Sequence, residues 1–194
     1  MEDMLDFSKY HAKETPLSLL VEDLQIEDLC DLTNQMINEM LLLIADCNDG
    51  DVVFAPEDPD AYDSAAATEQ ELRMSWTLGH VIVHVSASSE EAAAIAADLA
   101  RGVTRRRGRS RSEVPWQSIE TIEDCRHRLE ESRRMRLASL EMWPDNPDLE
   151  NRVKDHRGDL LNAVSRFIAG LAHDDSHLEQ IAKIVNQSKA HNRG

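Results

Sequence analysis

Two pairs of histidines in this chain are spaced to serve one ligand each: His80 with His84, and His173 with His177. Side chains four residues apart on a helix share a face one turn apart, so both imidazoles of a pair can reach a single ion. Two such pairs exceed what the chain's 8 histidines would give if scattered at random. The chemistry on offer is that of a divalent metal. Three neutral imidazoles with an open position leave the ion its Lewis acidity, so that it can activate a bound water or thiol.

The neighbours of these histidines sharpen the reading. On a helical wheel, Val81, Ala87, Ile95 and Leu99 fall within about 60° of His84, although Ser88 and Glu91 share that face. His173 and His177 lie at the edge of an apolar stripe beside Gly170 and Ile184, and Gly170 leaves room there. Imidazoles turned toward a core need partners for their nitrogens, and one metal ion would serve His84, His173 and His177 together. Glu91 sits seven residues beyond His84, roughly 10 Å along the axis, and reads as a paired or partly exposed carboxylate. His80 has two readings. It can be a fourth ligand that closes the site, or a ring behind the ligands or facing solvent in the frayed first turn; the second is preferred. Gln180 and Asp174 can orient ligands but read as ordinary polar helix residues. Cys30 and Cys125 read as small core residues, and His11, His127, His156 and His191 are left unassigned. No residue is assigned as catalytic, and neither a phosphate-cradling glycine loop nor zinc-finger spacing occurs.

The elements that must position these rings are helices. Ala, Leu, Glu and Arg are plentiful and aromatics make up only 4%, a balance that disfavours sheets. A first helix is expected from about Pro16 to Cys47, capped by Thr15 and ended by Asn48-Asp49-Gly50. A second should run from Trp76-Thr77 to about Arg101, with Gly102 as its stop. A third should begin at Thr121, with Asp124 completing a capping box, and continue through Leu129, Met135, Leu137 and Leu140 to Trp143-Pro144. The last should cover roughly Val153 to Gln187. Loops are expected over about 48–75, which is acidic, and 102–120. The second loop holds an arginine island in which Arg105, Arg106, Arg107 and Arg109 are candidates for an anion-binding lid. The expectation is an all-α four-helix bundle forming a single domain over 1–194, with its helical core at about 15–187.

A formal net charge of −16 argues against nucleic acid as a partner. No apolar run approaches the ~20 residues that span a bilayer, so no membrane partner is expected. Three cysteines without a CxxC, and an N-terminus without the pattern of a signal peptide, point to a reducing cytoplasm.

The segment from Trp76 through Thr77, Leu78, Gly79, His80, Val81, Ile82 and Val83 to His84 and Val85 resembles the DinB-family signature. There a Trp precedes a helix cap, and a His within an apolar run supplies the first ligand. The segment from His173 through Asp174, Asp175, Ser176, His177, Leu178, Glu179 and Gln180 to Ile181 resembles the closing HxxxHxxQI motif of the same family. The resemblance implies a DinB/YfiT-like bundle of up-down-down-up order, with zinc or nickel on His84, His173 and His177. It also implies thiol S-transferase-like or hydrolase-like activity on a small-molecule substrate, with a low-molecular-weight thiol as a candidate. The alternative is a non-catalytic metal-binding stress or interaction protein, with a homodimer as one form. Relatives often carry Glu where this chain has His80, so the acidic half of a capping box on Thr77 is missing.

Overall fold

In the computed structural model, which describes residues 4–63, 66, 68–103, 115–155 and 157–192, two short helices, α1 (Ser8–His11) and α2 (Leu17–Leu20), precede the first long one, α3 (Ile26–Leu43). The single helix expected from Pro16 to Cys47 is thus divided. The break lies before Gln25, whose N–H is taken by the Asp28 carboxylate at 2.7 Å, so a new helix starts there. Asn48-Asp49-Gly50 does not merely end a helix; it begins α4 (Asp49–Val53) inside the expected acidic loop. The Asn48 side chain accepts from Gly50 N, and Asp51 accepts from Asn48 N.

The next two helices start where their caps predict. α5 (Leu78–Ala100) has the Thr77 hydroxyl accepting from His80 N, and α6 (Ile122–Leu140) has the reciprocal Thr121–Asp124 box. The buried positions of α6 are Cys125, Leu129, Ser132, Arg136, Ser139 and Leu140, whereas Met135 is 43% exposed. The stripe expected through Met135 is therefore displaced by one residue, and an arginine takes the inward place. Val153 does not open the last helix either. Val153–Lys154 (β1) and Leu160–Leu161 (β2) pair antiparallel, with Val153 opposite Leu161. The Asp155 carboxylate accepts from Arg157 N and Asp159 N and so ties that turn. Asn162 then caps α7 (Ala163–His191) by accepting from Ser165 N.

The four long helices form a bundle in which α5 packs against α7 and α6, and α3 packs against the same two from the other side. Arg126 near the start of α6 and Lys189 near the end of α7 both donate to carbonyls just past the end of α3, Ala45 and Asp46. α3 is therefore parallel to α7 and antiparallel to α6. Between α5 and α7, His84 meets His173 while Ser89 meets Gly170, so these two are antiparallel. Between α5 and α6, His80 meets Trp116 just ahead of α6, and Glu90 pairs with Arg128, so these two are parallel. The directions read up, down, down, up.

Leu29, Ile37, Met40, Leu78, Ile82, Leu99, Leu129 and Ile168 fill the centre. Two glycines permit the closest approaches. A Cβ on Gly79 would stand 2.7 Å from the Ile119 carbonyl oxygen, and one on Gly170 would stand 2.9 Å from Ala92 Cβ. Among the described residues, no helix is long and apolar enough to cross a membrane.

Candidate metal centre

His84 lies on α5 and His173 and His177 on α7, the pair of helices with the most extensive mutual packing. One ligand atom from each of the three lies within 4.8 Å of the others. The ring centroids form a nearly equilateral triangle: 4.7 Å from His84 to His173, 4.9 Å from His84 to His177, and 4.8 Å from His173 to His177. The Nε2 atoms of His84 and His173 are 2.9 Å apart. Helical spacing brings together His173 and His177; only the antiparallel crossing of α5 and α7 brings in His84.

His177 Nδ1 lies 2.7 Å from Gln180 Oε1. A carbonyl oxygen can only accept, so Nδ1 carries the proton and the Nε2 lone pair is left for the cluster. Burial pushes the His177 imidazole below its ordinary value, although the Gln180 contact pulls the other way, and the neutral, ligating form is favoured. Gln180 is therefore not an ordinary polar helix residue; it fixes a tautomer.

Asp174 also departs from that expectation. It is fully buried, accepting from Ser89 Oγ at 2.7 Å and from Arg136 Nη1 at 2.5 Å. It braces α7 against α5 and α6 one residue beyond His173. The buried Arg136 had no signal in the sequence beyond its place in the α6 stripe, where the neighbouring Met135 looked the better candidate.

His80 is neither in the triangle nor turned to solvent. It is 8% exposed, with its ring between two indoles: Trp76 at 4.5 Å and Trp116 at 4.4 Å, the latter within 2° of parallel. Trp76 also contacts His84 at 4.6 Å and His177 at 6.1 Å. An aromatic column thus backs the triangle, and its outer member, Trp116, comes from a segment expected to be loop.

Two cavities flank the triangle. One, of about 260 Å³, is lined by Asp58, Asp60, Tyr62, Trp76, His177 and Gln180. The acidic segment reaches α7 there, held by mutual hydrogen bonds between the Glu57 backbone and the Gln187 amide. The other, of about 290 Å³, borders His173. His11, left unassigned from sequence, bonds Asp175 at 2.8 Å and fastens α1 beside this second cavity. His127 and His191 are exposed, and His156 lies outside the described residues. So do Arg105, Arg106, Arg107 and Arg109, the candidate anion-binding lid. Cys125 is buried, with its thiol pushed up to about 12 by that burial and by Asp124, so it is inert at neutral pH. Glu91 is half-buried, as expected, and borders the cavity beside His173.

Comparison with known proteins agrees with the motif reading. The family model described as the DinB superfamily matches residues 32–181, a span that contains all three histidines. Searches of curated proteins and of solved structures found no match.

Proposed function

The chain belongs to the DinB superfamily, and we propose that it is a metal-dependent enzyme in which His84, His173 and His177 hold one divalent ion. The observation that carries this reading is the convergence of three imidazoles from two helices, with ligand atoms within 4.8 Å of one another. The donor set fits: neutral nitrogens suit zinc or nickel, and three of them are the usual protein complement of a catalytic zinc. Gln180 on the far nitrogen of His177 is the kind of outer contact that fixes a ligating histidine.

When bound, the ion would supply Lewis acidity to a water or a thiol in its open position. The chain's own residues hold and shield that position. Trp76 presents an indole to two of the three rings, and the flanking cavities give a small molecule access from either side. The stacking of His80 between Trp76 and Trp116 favours a site left open over one closed by a fourth imidazole. It therefore favours an enzyme over the alternative of a non-catalytic stress or interaction protein. The reaction is transfer of a small thiol to an electrophile, or hydrolysis. Three free cysteines suit a reducing cytoplasm.

Metal analysis of the purified protein tests the reading. We expect stoichiometric metal in the parent, sharply reduced metal in each of His84→Ala, His173→Ala and His177→Ala, and helicity close to the parent in all three. Full occupancy in any one variant would remove that residue from the set. A sulfur-to-cobalt charge-transfer band, appearing when thiols are added to the cobalt-substituted protein, would separate the thiol branch from hydrolysis.

A further inference from the structure

The cavity beside His173 has a charge pattern that the metal centre does not use. Its walls are Tyr10 and His11 from α1, Ser88, Glu91 and Ala92 from α5, Asp155 and Arg157 from the hairpin, and α7 from Arg166 to Ser176. Most of the charged groups here are already committed. His11 bonds Asp175. Asp155 accepts two backbone N–H groups of its own turn. Arg157 donates to the Tyr10 carbonyl at 2.9 Å and lies over the Tyr10 ring at 4.2 Å. Two groups are left, Arg166 and Glu91. They are half-buried, they border the same cavity, and among the described residues neither side chain has a hydrogen bond or an ion pair. Glu91 acts electrostatically on Arg166 without touching it, as do Asp155 and Tyr10. A half-buried cation and anion held apart across a cavity leave space for a ligand carrying both complementary charges.

The helical register sets the reach of such a ligand. Arg166 precedes His173 by seven residues and Glu91 follows His84 by seven, and because α5 and α7 are antiparallel the two charges face each other on the same side of the histidines. Each lies about two turns, roughly 10 Å, from its own histidine. Ala92, Ala169, Gly170 and Ala172 floor the space between with small side chains.

We propose that this cavity binds the head of an α-amino acid or of a small peptide-like molecule built on one. The carboxylate is taken by Arg166 and the ammonium by Glu91, and the side chain runs along the small-residue floor toward His173. The direction of the side chain rests on the metal-site reading; recognition of the head does not.

The test uses L-cysteine, cysteamine, which lacks the carboxylate, and 3-mercaptopropionate, which lacks the ammonium. Each is titrated calorimetrically into zinc-loaded and metal-free protein, with zinc content measured separately. In metal-free protein L-cysteine should bind at least about tenfold more tightly than either truncated thiol, as expected for a charge-assisted contact. Arg166→Gln should abolish its advantage over cysteamine, and Glu91→Gln its advantage over 3-mercaptopropionate, with zinc content unchanged in both. Equal affinities for the three thiols in the metal-free parent protein, where no thiol–zinc bond can level them and no variant has to fold, would overturn the proposal. So would an advantage that survives both substitutions. Absence of zinc uptake would instead count against the metal-site reading, while the ratios in metal-free protein would still report on the head.

Discussion

At the scale of single residues, the proposed centre depends on atoms one step away from the three histidines. His177 has two ring nitrogens, and the Gln180 carbonyl at 2.7 Å decides which of them keeps its lone pair. Without that contact the ring can tautomerise and swing. Gln180→Ala should weaken metal binding by roughly 10- to 100-fold, the usual effect of removing such an outer partner. Competition against a chelator of known affinity would measure it, and an unchanged affinity would leave Gln180 with no part in holding His177. His80 illustrates the opposite case, a histidine of suitable type and spacing whose ring is stacked outside the triangle. Its imidazole lies flat against Trp116 and nearly flat against Trp76.

At the scale of elements, the triangle exists because α5 and α7 approach closely. Gly170 and Ser89 make that approach possible, with Ser89 Oγ sharing its one proton between the Gly170 carbonyl at 2.8 Å and Asp174 at 2.7 Å. A methyl group at Gly170 would come within 2.9 Å of Ala92 Cβ and 3.1 Å of Ser89 Cα. The Ser89 contact is with backbone, so the helices themselves must part. Gly170→Ala should cost about 1–3 kcal/mol in urea unfolding, in the range typical of overpacking. It should also lower metal affinity, because His84 moves with one helix and His173 with the other. A variant of full stability and full affinity would contradict this account. The Asp174–Arg136 pair, with Ser89, fixes the register of the same crossing from within.

At the scale of the whole molecule, two linkages should be measurable. The first concerns acid. Burial alone would push the Asp51 carboxyl up, but hydrogen bonds from Lys189, Ser188 and the Asn48 backbone outweigh it and hold the group below its ordinary 3.8. A carboxylate depressed in the folded state stabilises that state above the unfolded value. Its contribution is therefore complete above about 3.8 and lost as the pH falls from there through the lower folded value. Asp51→Asn should lower stability at neutral pH and flatten the acid limb of a stability–pH curve below 3.8. An acid limb as steep as the parent's would assign that loss to other carboxylates. The second linkage is with metal. An ion that binds only the folded chain should raise stability by about 2.7 kcal/mol at a hundredfold excess over its dissociation constant. The shift in thermal midpoint should vanish in His84→Ala.

Local signals were enough for the helix content, for the starts of α5 and α6 and for the two histidine pairs, because caps and four-residue spacings are short-range properties of the chain. Thr77 and Thr121 open their helices as read, and His173 and His177 share a face by helical geometry alone. The order of helix directions came from resemblance to a family, and no local pattern could have supplied it, whereas His84 was grouped with His173 and His177 because its neighbours on the helical wheel turn it toward the core. Tertiary packing decided what lies beyond reach of a turn. It placed Arg136 inward and Met135 outward on α6, because Asp174 on another helix offers Arg136 a buried partner. It placed Trp116 on His80, and it brought Arg166 and Glu91 to the border of one cavity. These pairings join residues 36 to 75 positions apart, so neither member carries a mark of the other until the helices cross.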